Sequence, residues 1–222
     1  MGRHGRRKEN NMQHDFQFVA KSEWLPIRKE LEELIKLVQD EIRDVFTFQF
    51  TYVGSTSRNM ITRDTKSNIG YDFDVNFHIN YEDNELDAED IRRLFRKTID
   101  KYAYRFGYDF CEDSTRVLTI KKKNTFQSRI LHSCDICIVY DLDNGRQQYI
   151  HYNKEQNSYD WKFLPAKNRK LEEKAEWIVK NGKKDELENL YLYKKDNNTN
   201  PDKRSRSLYA ESVSEIYQRY HK

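Results

Sequence analysis

The sequence predicts an α/β fold, with a mixed sheet, one long helix before it and a helical section after it. Three observations carry that expectation. Between Ser22 and Phe46, apolar residues recur at Trp24, Ile27, Leu31, Leu34, Ile35, Val38, Ile42 and Val45, the 3.6-residue spacing of one helix face. From 47 to 141, short segments alternate apolar and polar residues with the period of two that a half-buried strand requires. Beyond Lys154 the pattern turns helical, in stretches near 168–181, 185–194 and 204–220.

Taken in order, Ser22 reads as the N-cap of the first helix, and Pro26 falls in its opening turns, where a missing N–H is tolerated. TFQFTYV (47–53) alternates until Gly54 breaks it, and GYDFDVNFHI (70–79) is a second strand of the same character. The acidic stretch NYEDNELDAED then leads into a helix near 87–106 with Leu94, Phe95, Ile99 and Tyr102 on its apolar side. TRVLTIKKK and RILHSCDICIVYD read as two further strands, and RQQYIHYNK is a candidate for a third. The expected organisation is a basic leader over 1–14, a core over 15–155 and a helical section over 156–222 packed on that core.

Composition narrows the class. At 222 residues the chain suits one compact unit, and with 36% hydrophobic but 14% aromatic residues its core must lean on Tyr and Phe. A net charge of +3 excludes a polycation built to coat nucleic acid, so any basic patch is local. One such patch, Arg3, Arg6, Arg7 and Lys8, sits among residues too polar to order themselves. No run approaches the ~20 apolar residues of a membrane span and no secretory signal opens the chain, so the expected location is cytoplasmic, with no membrane partner. Cys111, Cys134 and Cys137 are an odd, sparse set, unlike a disulfide framework.

The chemistry concentrates in three places. Strand alternation puts Tyr71, Phe73, Val75, Phe77 and Ile79 on one face and Asp72, Asp74, Asn76 and His78 on the other. The two aspartates then stand ~6.6 Å apart on one face, and a divalent cation is the common reason to keep two such carboxylates ionised together. Asp135 lies in the apolar run SCDICIV; if its strand neighbours the first, three carboxylates meet on one face as ligands for two Mg²⁺ (or Mn²⁺) ions of the phosphoryl-transfer kind. Gly54 leaves room for close backbone approach, Ser55 and Thr56 offer hydroxyls, and Arg58, Arg63 and Lys66 are near enough in sequence to add charge, which together suits a nucleoside triphosphate.

The series VGST (53–56), YDFDVNF (71–77) and CDICIV (134–139) resembles the DNA polymerase β-like nucleotidyltransferase superfamily, and the long leading helix is similar to that of the branch with oligoadenylate synthases and CD-NTases. The resemblance covers roughly 22–140. It implies a nucleotidyltransferase core in which Gly54 and Ser55 contact the nucleotide phosphates and Asp72, Asp74 and Asp135 hold the metals, Asp135 also being placed to help deprotonate the acceptor hydroxyl. The implied reaction moves a nucleoside monophosphate from ATP or GTP to an acceptor, which could be a small molecule, a nucleotide, RNA or protein, and releases pyrophosphate. An alternative is a non-catalytic nucleotide-binding or partner-neutralising module on the same fold. The chain departs from the pattern in two ways: the 17 positions from Ser55 to Asp72 are longer than usual, so the insert NMITRDTKSNI must loop out or remodel the acceptor side, and Tyr71 stands where Ser or Thr often precedes the first Asp.

Other features have blander explanations. Asp-x-Asp also serves glycosyltransferases, but without a Gly-Ser turn before it. Cys134 and Cys137, three apart in a strand, point to opposite faces and suit burial better than a shared zinc. His78 reads as structural or solvated, Tyr159, Trp161 and Phe163 as packing before nucleobase platform, and the basic and aromatic C-terminus as a docked helix before an RNA contact.

Overall fold

The computed structural model describes residues 14–80, 85–166 and 168–221; the basic leader, apart from His14, lies outside the described residues. In chain order the elements are β1 (Phe16–Phe18), α1 (Lys21–Ile42), β2 (Thr47–Val53), a single turn α2 (Gly54–Ser57), β3 (Thr62–Asp64), β4 (Tyr71–Asn80) and α3 (Ala88–Ala103) with a 3-10 turn at Tyr104–Phe106. There follow β5 (Glu112–Asp113), β6 (Leu118–Asn124), β7 (Arg129–Asp141), β8 (Gln147–Asn153), β9 (Ser158–Phe163), α4 (Arg169–Lys180), α5 (Lys184–Asp196) and α6 (Ser205–Tyr220). These divide into two compact units. The larger holds Gln17–Arg63 and Ser67–Lys170; the smaller holds the described residues up to Phe16, Asp64–Lys66 and Leu171 onward.

The larger unit is built on a seven-stranded sheet ordered β2-β4-β7-β6-β5, with β8 on β7 and β9 on β8. Only β4 and β7 run parallel, so the sheet is mixed, as expected. The β4 residues predicted to face inward, Tyr71, Phe73, Val75, Phe77 and Ile79, are all buried, in one core with Leu31, Leu34, Ile35 and Val38 of α1 and Phe95 and Ile99 of α3. Phe48, Phe77 and Phe95 form a three-ring contact, with centroids 4.5 to 5.4 Å apart. In the smaller unit, α5 and α6 bury Leu187, Tyr191, Leu208, Val213 and Ile216. Among the described residues no helix is long and apolar enough to cross a membrane.

Several boundaries differ from expectation. Ser22 lies inside α1 and does not cap it; the chain enters through Ala20, whose carbonyl accepts from Trp24 N, and the burial of Trp24 sets that start. Pro26 is therefore the sixth helical residue, and the Ser22 carbonyl lacks its i+4 donor. At the other end α1 stops at Ile42, leaving Val45 51% exposed, because the chain turns there to bury Phe46 ahead of β2. The insert after Ser55 does not loop out freely. Met60 and Ile61 are buried, Ile61 accepts from Val19 N, and the residues beyond form β3, which pairs with β1.

Two features of the core were not foreseen. Arg92, on the inner side of α3, is 1% exposed. It donates to Asp113 Oδ1 (2.6 and 3.0 Å) and to the carbonyls of Ser114 (2.7 Å), Val117 (2.9 Å) and Ile150 (3.2 Å). The segment carrying Tyr159 and Trp161 is the strand β9, and those rings pack on Tyr152 and Tyr140. Tyr159 also donates its hydroxyl to Asp113 Oδ2 (2.8 Å), so α3, the β5–β6 turn, β8 and β9 share one polar knot.

Candidate active site

The sheet register assembles the carboxylates. β4 pairs with β7 so that Asp74 stands directly across from Asp135, and with β2 so that Val53, the last residue before the Gly-Ser turn, stands across from Asp74 on its other side. Asp72, two residues earlier, is opposite Ser133, whose hydroxyl donates to its carboxylate. Asp135 Oδ1 accepts from Thr119 Oγ1 of β6 (2.6 Å). Thr119 and Ser133 carry no sequence signal of their own, because only the cross-strand register reveals that they support the aspartates.

The turn sits against the same carboxylates. Gly54 has φ +64°, the left-handed region, and a Cβ there would stand 2.6 Å from Asp74 Oδ2. Thr56 is fully buried, and its Oγ1 accepts from Asp74 N (3.3 Å), so this hydroxyl ties the turn to β4. Ser55 is half-buried, Ser57 is exposed, and the Arg58 guanidinium acts on Asp74. Arg63 pairs with Glu23 (2.5 Å), and the Lys66 backbone N–H donates to Asp64. Gly54→Ala should lower stability by about 1–2 kcal/mol for the left-handed backbone alone, and should also turn Asp74 aside. A melting temperature equal to that of the parent chain would contradict this geometry.

Burial, then the charges of Asp135 and Asp72, push the Asp74 carboxyl up to about 6, against the pull of Arg58. Burial also raises Asp135, against the Thr119 hydrogen bond. Carboxylates that resist ionising together are relieved by a cation, and an all-oxygen donor set suits a hard divalent ion such as Mg²⁺ or Mn²⁺. Among the described residues no three His, Cys, Asp or Glu side chains already close on one point. The fit therefore rests on the facing Asp74 and Asp135, with Asp72 two residues away.

Further along the same face of β4, Asn76 stands opposite Thr51 and His78 opposite Gln49. His78 Nε2 is 2.8 Å from Thr51 Oγ1, and its Nδ1 is 2.7 Å from Asp141 Oδ2. Cys134 points into the core, while Cys137, half-buried and with its thiol pushed up to about 11 by burial, belongs to the opposite face.

A mixed sheet with helices behind it, and a Gly-Ser turn set over aspartates on its central strands, is the nucleotidyltransferase fold. The solved structures that this chain resembles are CD-NTases, in agreement with the superfamily resemblance carried by its motifs. CdnG of Bradyrhizobium diazoefficiens in complex with GTP matches with a TM-score of 0.51 and 13% identity over 68% of this chain and 40% of that one. DncV of Vibrio cholerae in its GTP-bound form matches at 0.56 and 18% identity over 90% of this chain and 53% of that one. DncV cyclic AMP-GMP synthase, in complex with the linear intermediate pppA(3′,5′)pG, gives 0.57 and 16% over 90% and 54%. The chain thus spans about half the length of the structures it matches, and identities this low establish the fold alone. No family model matches the chain, nor does any curated protein.

Proposed function

We propose that the chain is a metal-dependent nucleotidyltransferase that moves a nucleoside monophosphate from ATP or GTP to an acceptor hydroxyl and releases pyrophosphate. The observation that carries this is the register that sets Val53, Asp74 and Asp135 side by side, with the Gly54–Ser57 turn immediately above Asp74. GTP in the CdnG and DncV structures supports a purine nucleotide. In this reading Gly54 and Ser55 admit the phosphates, Arg58 adds positive charge, and Asp72, Asp74 and Asp135 hold two Mg²⁺ or Mn²⁺ ions. Such ions neutralise charge on the transferring phosphoryl group and its leaving oxygen. Thr119 and Ser133 fix the orientation of Asp135 and Asp72.

The test is incubation with each α-labelled triphosphate and Mg²⁺ or Mn²⁺, with mass spectrometry of all products. Asp72→Ala or Asp135→Ala with undiminished pyrophosphate release would falsify the assignment. Metal also has a reading independent of turnover. At pH 8, Mn²⁺ at about a hundred times its Kd adds about 2.7 kcal/mol, or roughly 5–10 °C in Tm for a chain of this size. EDTA should reverse the shift, and Asp74→Asn/Asp135→Asn should lose it.

A further inference from the structure

β2 is an edge strand: among the described residues it pairs with β4 alone. Two hydrogen bonds show which of its backbone groups face outward. Asp74 N–H points to the β2 side, where it donates to Thr56 Oγ1, so by the alternation of an antiparallel ladder Thr47, Gln49, Thr51 and Val53 turn their N–H and C=O groups toward β4. Phe48, Phe50 and Tyr52 then turn theirs to the open edge, and Phe48 O accepts there from Gln39 Nε2 of α1 (2.8 Å). A carbonyl has a second lone pair, so Phe48 O remains able to join a ladder.

Natural sheets blunt such an edge with a charge, a proline or a bulge. TFQFTYV has neither charge nor proline, and its register against β4 runs unbroken from Thr47 to Val53. Beside it, between α1 and β2, lies a groove of about 630 Å³ lined by residues that include Glu32, Lys36, Gln39, Asp40, Arg43 and Phe50. A bare, uncharged, strand-forming edge next to an open groove suits the addition of a further strand.

The charges on α1 identify that strand. In an antiparallel pair, residues that stand opposite each other point to the same face. A second β2 on this edge therefore puts both α1 helices, which pack on the inner face of the sheet, side by side and antiparallel. Glu32, Lys36, Gln39, Asp40 and Arg43 follow one another at helical spacing along one stripe of α1. Turned about an axis near Val38, this stripe matches itself: Glu32 faces Arg43 of the second copy and Lys36 faces Asp40, each contact being made twice. Gln39 sits beside Phe48, so the same axis crosses β2 next to Phe48 and sets Gln49 across from Gln49 of the second copy. Within one chain Glu32 pairs with Arg28 and Asp40 with Arg43, at the surface, where ion pairs hold little energy and exchange readily.

We propose that β2 and α1 form a self-complementary surface through which two copies of this chain associate, joining their seven-stranded sheets edge to edge along β2. This goes beyond the transferase reading and does not depend on it, because the test reads association alone.

Sedimentation velocity of the full chain over a dilution series is that test. The parent chain should pass from dimer to monomer on dilution. Gln49→Lys sets two like charges face to face and should weaken association about ten-fold or more. Lys36→Glu and Asp40→Lys should each do the same, since either one alone places like charges across the axis. An equimolar mixture of these two variants should associate as tightly as the parent: the changed residues attract each other, and the unchanged Asp40 and Lys36 meet as before. That recovery also shows that both variants fold. A parent chain that is monomeric at every concentration overturns the proposal. So does a dimer that neither charge reversal weakens, or a mixture that associates no more tightly than its components. A dimer lost on removal of residues 1–13 is held by the leader and overturns the β2 pairing as well.

Discussion

If the proposed transferase reading holds, Asp74→Asn should abolish nucleotidyl transfer and, without metal, should make the protein more stable at pH 8. The loss should be on the order of 10³-fold or more, since a preorganised charge partner at the transferring phosphoryl group is removed. The gain follows from burial and from the facing Asp135 and Asp72, which raise the folded-state carboxyl from 3.8 to about 6. Well below 3.8 the group is neutral in folded and unfolded chains alike and costs nothing. As pH rises through the folded value the buried carboxylate must ionise, so stability falls between about pH 4 and 6, by about 3 kcal/mol in all. Asparagine never ionises and escapes that loss. Urea unfolding in EDTA at pH 4.5 and pH 8 measures it: the variant should gain on the parent chain by about 1 kcal/mol at the lower pH and about 3 kcal/mol at the higher. An equal gap at both values would refute the electrostatic account.

Arg92→Met should cost about 3–5 kcal/mol, because it strands the Asp113 carboxylate, whose side chain is 8% exposed, in the interior and removes the donor to four carbonyls. Adding Asp113→Leu should return only part of that energy: the orphaned charge is gone, but the carbonyls of Ser114, Arg116 and Ile150 have still lost the Arg92 donor, and that of Val117 keeps only Ser114. Denaturant midpoints of the two singles and the double form a complete cycle. Full recovery in the double would show that the carbonyl contacts carry no weight.

The difference between Asp74 and Arg92 shows what could be read from the sequence. Asp72, Asp74 and Asp135 stand out because each interrupts an apolar alternation, and the alternation alone assigns their face; adjacency of the two strands then completes the set. Arg92 looks like any surface arginine on an amphipathic helix, because its partners Asp113, Ser114, Val117 and Ile150 lie 21 to 58 positions away and nothing local marks them. β1, β3 and β5, at two or three residues, are too short to display a period, and β9 is bounded by polar turns that mask its alternation.

The parallel pairing of β4 with β7 also fixes an order of events. Asp74 and Asp135 are separated by the same 61 positions as Asp72 and Ser133, and parallel neighbours cannot be closed by a tight turn. As the chain is synthesised, β2, the Gly-Ser turn and β4 are available as an antiparallel pair long before β7 exists, and the repulsion between the two carboxylates begins only when β7 docks. The step that creates the site is thus the step its own charges oppose.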